Sequence, residues 1–122
     1  MRKVILLCLS VAILWSCGND APKNSSTKST ETKTDPDAEK GLELVGKSNC
    51  FTCHKVDQIF NAPAYTAIAA KYPNNDDVID SLSDKIIKGG SGNWGTIPML
   101  PHPEISKDDA KLMVKYVLSL KK

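Results

Sequence analysis

Cys50-Phe51-Thr52-Cys53-His54 is the stretch on which the reading of this 122-residue chain turns. Cysteines at i and i+3 put two sulfurs on one face of a helical turn. From there both can add across the vinyl groups on one edge of a porphyrin, and the next residue, His54, can aim its imidazole at the iron. Spacing and residue types are those of covalent c-type haem attachment through Cys50 and Cys53, with His54 as the proximal ligand. Two other chemistries compete for the same residues. A redox dithiol wants its Cys-x-x-Cys in a strand-helix-strand setting, for which this chain has no pattern. A zinc site wants four ligands, and only Cys50, Cys53, His54 and His102 are on offer.

On either side of the motif the apolar residues recur at helical spacing. Asp35-Pro36 supplies an N-cap and a first helical residue, and Leu42, Leu44 and Val45 give that helix its apolar positions. Pro63 to Tyr72 reads as a shorter helix with Tyr65, Ile68, Ala69 and Tyr72 on one face. Asp76 to Lys88 carries acids in its first turn and Lys85 and Lys88 in its last, with Gly89 to end it. Its buried stripe is Val78, Ile79, Leu82 and Ile86. The last helix opens at Ser106, with Asp109 three residues on as in a loose capping box, and its stripe is Ala110, Met113, Tyr116, Val117 and Leu120. No segment alternates at period two for long enough to predict a sheet, so the expected class is all-α. About 85 residues make a meagre core, and a covalently held haem is the staple such a domain needs.

The iron's other side needs a ligand. Met113 sits on the apolar stripe of the last helix and reads as core filler. Met99 lies in Gly95-Thr96-Ile97-Pro98-Met99, an irregular stretch from which a thioether can swing over a haem face. His102, between Pro101 and Pro103, is the rival, as a second imidazole ligand or as an exposed loop residue. Met99 is the preferred choice; soft sulfur in an apolar pocket favours ferrous over ferric iron and raises the reduction potential.

The N-terminus has a different character. Arg2 and Lys3 precede an apolar run from Val4 to Leu14, too short for a permanent membrane span. Leu14-Trp15-Ser16-Cys17 follows, similar to the lipobox of bacterial lipoproteins apart from the bulky Trp15. Residues 1–16 are thus expected to be a signal peptide and Cys17 the lipidated anchor to a bacterial membrane, an ordinary signal peptide being the alternative. Of the four cysteines, Cys8 leaves with the signal and Cys17 takes the lipid. Only the haem pair then remains, and no disulfide framework is left over. Residues 17–37 hold Ser, Thr, Lys, Asn, Asp and Pro with no large apolar side chain, the composition of a disordered linker. Twenty such residues span about 25 Å. Asn24-Ser25-Ser26 fits a glycosylation acceptor and is read as linker composition only. The folded domain is then 38–122.

Removing Arg2 and Lys3 from the 16 basic residues leaves 14, against 14 acidic ones. This balance gives no basic surplus for nucleic acid. With both axial positions filled, iron can change oxidation state but cannot bind a reactant. The expected function is therefore one-electron transfer between exported or membrane redox proteins, by a monomeric carrier and not an enzyme. A peroxidase or gas sensor with a labile Met99, or a subunit docked permanently to an oxidase, reductase or dehydrogenase, are the alternatives. Lys47, Lys55, Lys71 and Lys88 are candidates for the rim of the docking face.

From Gly41 to Lys122 the chain resembles the class I cytochromes c of the short bacterial periplasmic type. The likeness rests on Cys50-Phe51-Thr52-Cys53-His54, Ala62-Pro63-Ala64-Tyr65, Gly92-Asn93-Trp94-Gly95-Thr96-Ile97-Pro98-Met99 and Tyr116-Val117-Leu118-Ser119. It implies that the Pro63 carbonyl accepts a hydrogen bond from the outer nitrogen of His54, and that Trp94 donates to a haem propionate. It also implies that Gly41 and Val45 lie where the first helix crosses the last, facing Tyr116. Val45 stands where the family has an aromatic residue, which predicts a less tightly filled crossing. Ala62 replaces the family's glycine, and His102 falls where some relatives carry a polar residue near the methionine sulfur.

Overall fold

The computed structural model of the chain describes residues 35–122; the expected signal peptide, Cys17 and nearly all of the expected linker lie outside the described residues. Helix α1 spans Pro36–Lys47. Asp35 caps it by accepting from the Asp37 amide at 3.0 Å, and Pro36 occupies the position where its missing N–H costs nothing. The boundary expected between residues 37 and 38 therefore falls inside this helix, and Asp37 is already engaged with Lys115. A 3-10 turn covers Cys50–Thr52, and α2 covers Tyr65–Lys71. Helix α2 is shorter than expected at both ends. Ala64 is extended, and Tyr72, which precedes Pro73, is pushed out of the helical region by the proline ring. Helix α3, Asp76–Lys88, keeps its expected bounds: the Asn75 side chain accepts from the Val78 amide, and Gly89 ends the helix at φ 68°. Helix α4, Lys107–Ser119, is capped by Ser106, whose hydroxyl accepts from the Asp109 amide and donates to the Asp109 carboxylate.

The four helices bear out the all-α expectation. One addition was not expected, a two-stranded antiparallel hairpin of β1 (Gly90–Gly92) and β2 (Gly95–Met99). It is only three residues against five, its register is irregular between Gly90 and Gly92, and Gly90, Gly92 and Gly95 all have positive φ. Such a ladder is a matter of backbone hydrogen bonds and glycine conformations, and leaves no period-two side-chain signal.

Helix α4 is the common partner of α1, α2 and α3. One side of it supplies Met113, Tyr116 and Val117 to a cluster with Val45 and Tyr65; another supplies Val114 and Leu118 to a cluster with Ile79 of α3. The predicted single stripe on α4 is thus too narrow. Leu118 is 2% exposed, whereas Leu120 sits at the C-cap and is only partly buried. At the α1–α4 crossing Val45 is 1% exposed, so a β-branched side chain closes a site expected to be less tightly filled. Gly41 explains this: a Cβ there would stand 2.7 Å from the Leu112 carbonyl carbon and 2.9 Å from the Tyr116 Cβ. Without a side chain at Gly41 the two helices approach backbone to backbone, and Val45 suffices to fill the remaining space.

Candidate functional site

Helix α1 ends at Ser48, and Asn49 reverses the chain in the left-handed region (φ 57°), the only non-glycine with positive φ among the described residues. Asparagine tolerates that conformation better than other side-chain-bearing residues. Its carbonyl accepts from both the amide and the hydroxyl of Thr52, and the Cys50 carbonyl accepts from the Cys53 amide (3.2 Å) and the His54 amide (3.0 Å). These bonds wind the motif into one tight turn. Lys55 donates to the Phe51 carbonyl at 2.8 Å and closes it further. Cys50 is part-buried and Cys53 exposed, and no disulfide joins them. Burial pushes the Cys50 thiol up from its ordinary pKa.

Nδ1 of His54 lies 2.8 Å from the Pro63 carbonyl oxygen. A carbonyl can only accept, so Nδ1 carries the proton, and the neutral ring keeps the Nε2 lone pair free. Burial lowers the pKa of His54, opposed by this hydrogen bond, and so favours that neutral form. The ring stacks on Tyr65, with centroids 5.1 Å apart and planes 14° from parallel. Tyr65 is itself held edge-on by Phe51 and Tyr116. The amides of Tyr65 and Thr66 bond back to the carbonyls of Lys55 and Val56, which fixes the start of α2 against the segment after His54. Ala62 joins this loop without a positive φ, so the missing glycine has no conformational cost there.

His54, Cys50 and Met99 line one open cleft. The rest of its wall is almost entirely apolar, with Val45, Tyr65, Ile68, Leu82, Ile86 and Val114 in it and Lys85 as the only charged side chain. Met113, expected as core filler, is buried and also reaches this wall. Pro63 is tied to the cleft through His54; Cys53 is not in its lining and stands exposed, one turn from Cys50. Trp94 does not line the cleft; its ring is 44% exposed, under the Lys71 ammonium at 4.4 Å. His102 does not line it either, and its Nδ1 is 3.0 Å from the Glu104 carboxylate. Sequence reasoning missed Lys85, whose position in the last turn of α3 gave it only a helix-capping reading.

The donor set fits a haem. A porphyrin needs an apolar slot, thiols at its edge and soft or imidazole donors in its walls; the cleft offers apolar walls, the Cys50 thiol with Cys53 one turn further on, and His54 and Met99 in its lining. A zinc site fits poorly, because among the described residues no three His, Cys, Asp or Glu side chains come together to hold a metal ion.

Comparison with known proteins agrees. Residues 38–121 match the family model described as cytochrome c. Cytochrome c-552 of Nitrosomonas europaea is 43% identical over 84 residues, covering 69% of this chain and 82% of that protein. Cytochrome c-551 of Azotobacter vinelandii is 41% identical over 83 residues, 68% of this chain and all of that one. The crystal structure of wild-type Nitrosomonas europaea cytochrome c552 superposes with a TM-score of 0.61 at 44% identity, covering 66% of this chain and 99% of that one. With its fold, its motif turn and its relatives in accord, the chain belongs to the cytochrome c family.

Proposed function

We propose that His54 and Met99 are the axial ligands of the haem in this cytochrome, with Pro63 orienting His54 and Trp94 serving a haem propionate. Membership of the family makes the chain an electron carrier and not an enzyme, with one haem c bound covalently through Cys50 and Cys53. When bound, the haem supplies an iron that takes up and returns one electron. The observation that carries the ligand reading is that His54 and Met99 line the same cleft while His102 stands outside it, beside Glu104. The Pro63 carbonyl holds the His54 ring in the tautomer that offers Nε2, and the apolar walls exclude water and disfavour the extra charge of the ferric state.

The docking face for partner redox proteins is read as the cleft mouth. Of the expected rim lysines, Lys47 pairs with Glu43 and Lys88 with Asp84. Lys55, Lys71 and the cleft residue Lys85 have no carboxylate partner among the described residues. Phe60 and Ile97 are exposed apolar side chains, and Lys55 covers Phe60 at 5.4 Å. Exposed apolar side chains and lysines without a carboxylate partner suit an acidic partner surface. The lipobox-like Leu14 to Cys17 supports a lipid anchor on Cys17 after removal of residues 1–16, with 17–37 as tether and the 38–122 domain in the periplasm, as a monomer. Among the described residues no helix is long and apolar enough to cross a membrane.

A redox titration followed by absorbance on the haem-loaded protein tests the ligand reading. Met99→Ala is expected to abolish the methionine-to-iron charge-transfer band and lower the potential, while His102→Ala keeps the band. The reverse pattern would overturn Met99 in favour of His102. Cys17→Ser is expected to release the protein from the membrane fraction.

A further inference from the structure

We infer that Lys71, seconded by Tyr72, is a positioning residue that clamps the tip of the β1–β2 hairpin and so holds Met99 over the cleft; this rests on reading Met99 as the distal ligand. The hairpin has little to fix it in place. Gly90 to Pro98 are all exposed, so it has no buried face, and a two-stranded ribbon is marginal alone. Its base is held well. Gly89 packs so close to β2 that a Cβ there would lie 2.5 Å from the Met99 carbonyl oxygen, and beyond the hairpin the His102 amide bonds to the carbonyls of Ile86 and Ile87.

The tip depends on the C-terminal end of α2. Lys71 Nζ donates to the Asn93 carbonyl at 2.9 Å while its charge sits 4.4 Å from the centre of the Trp94 ring. The Asn93 side-chain amide donates to the Tyr72 hydroxyl at 3.3 Å. Among the described residues these are the only side-chain hydrogen bonds from the hairpin to the rest of the chain. Lys71 also has no carboxylate to draw it away, unlike Lys88. Its ammonium thus acts on two successive residues of one turn, the Asn93 carbonyl and the Trp94 indole, while the Asn93 side chain separately reaches the Tyr72 hydroxyl at the end of α2. The indole contact and the hydrogen bond act on the same tip, so losing both loosens β2 from the end opposite its glycine-packed base.

The test uses haem-loaded protein with Lys71→Met, which keeps the aliphatic stem and removes the charge and both contacts. Hydrogen exchange of the amides in 92–96 is expected to quicken about three- to tenfold, as is the affinity of ferric iron for added imidazole, which competes with Met99. Lys71→Arg, which can stack on an indole and still donate, should restore most of both. Lys88→Met should change neither. Unchanged tip exchange in Lys71→Met would overturn the clamp. Faster exchange with unchanged imidazole affinity would overturn its action on Met99. A Met99→Ala protein spectrally identical to the parent would sink the ligand reading itself, while the exchange rates would still report whether Lys71 holds the tip.

Discussion

Gly41 of α1 rests against Tyr116 of α4 with no room for one more carbon: a Cβ on Gly41 would lie 2.9 Å from the Cβ of Tyr116 and closer still to the Leu112 carbonyl. Two of these neighbours are backbone atoms and cannot rotate aside. Gly41→Ala gains helix propensity of about 1 kcal/mol, but overpacking costs about 1–3 kcal/mol and forces the two helices apart. The net expected outcome is a lower urea midpoint at unchanged m-value, with Val45 newly exposed beneath the widened crossing. A midpoint at or above that of the parent would contradict it.

Tyr65 joins the His54 ring to the core, so its removal should be felt on both sides. Tyr65→Ala takes away a buried ring in contact with Phe51, His54 and Tyr116, and the cost expected from large-to-small aromatic substitutions is about 3–5 kcal/mol. Tyr65→Phe keeps the stack and should cost below about 1.5 kcal/mol. Denaturant unfolding of the two haem-loaded variants separates ring from hydroxyl.

Acid should loosen the α3–α4 contact through Asp84. Hydrogen bonds and charge from Lys107 and then Lys88 depress its pKa from 3.8 to about 2. The folded state therefore binds fewer protons than the unfolded one in this window. The stabilisation is complete above about pH 4 and disappears as pH falls towards 2. Asp84→Asn should flatten the pH dependence of stability between 4 and 2, and added salt should blunt it in the parent, since these groups face solvent. An identical slope in parent and variant would rule Asp84 out as its source.

Ser83 is fully buried in α3, with its hydroxyl bonded to the Ile79 carbonyl at 2.6 Å. That carbonyl also has its helical amide partner, so Ser83→Ala leaves no acceptor stranded, and alanine is the better helix former. The expected change in thermal midpoint is near zero or slightly upward. A loss above about 1 kcal/mol would mean the hydroxyl holds more than its own helix.

Helix ends were the most legible part of this chain because their causes are local. Asp35-Pro36, Ser106 and Gly89 each act through a side chain or ring within a few residues, and the structure places the ends there. Cys50 and His54, sharing one turn, were equally readable. The hairpin was not, because its ladder belongs to glycine backbones. Leu118 and Val114 were missed because a helix packed on several sides has a wider buried face than one stripe, and that depends on distant partners. Lys47 and Lys88 read as rim charges in the sequence, but each meets an acid four residues earlier on its own helix, Glu43 and Asp84. Lys85 became visible only when α3 was placed beside the cleft.

Since α1, α2 and α3 all pack on α4, the helix made after these three is the one they require. A chain stopped before Ser106 would hold the whole haem-binding motif and Met99, yet have nothing to fold against. The order of synthesis therefore makes assembly wait until α4 has been made, with its outcome decided by Lys107–Ser119.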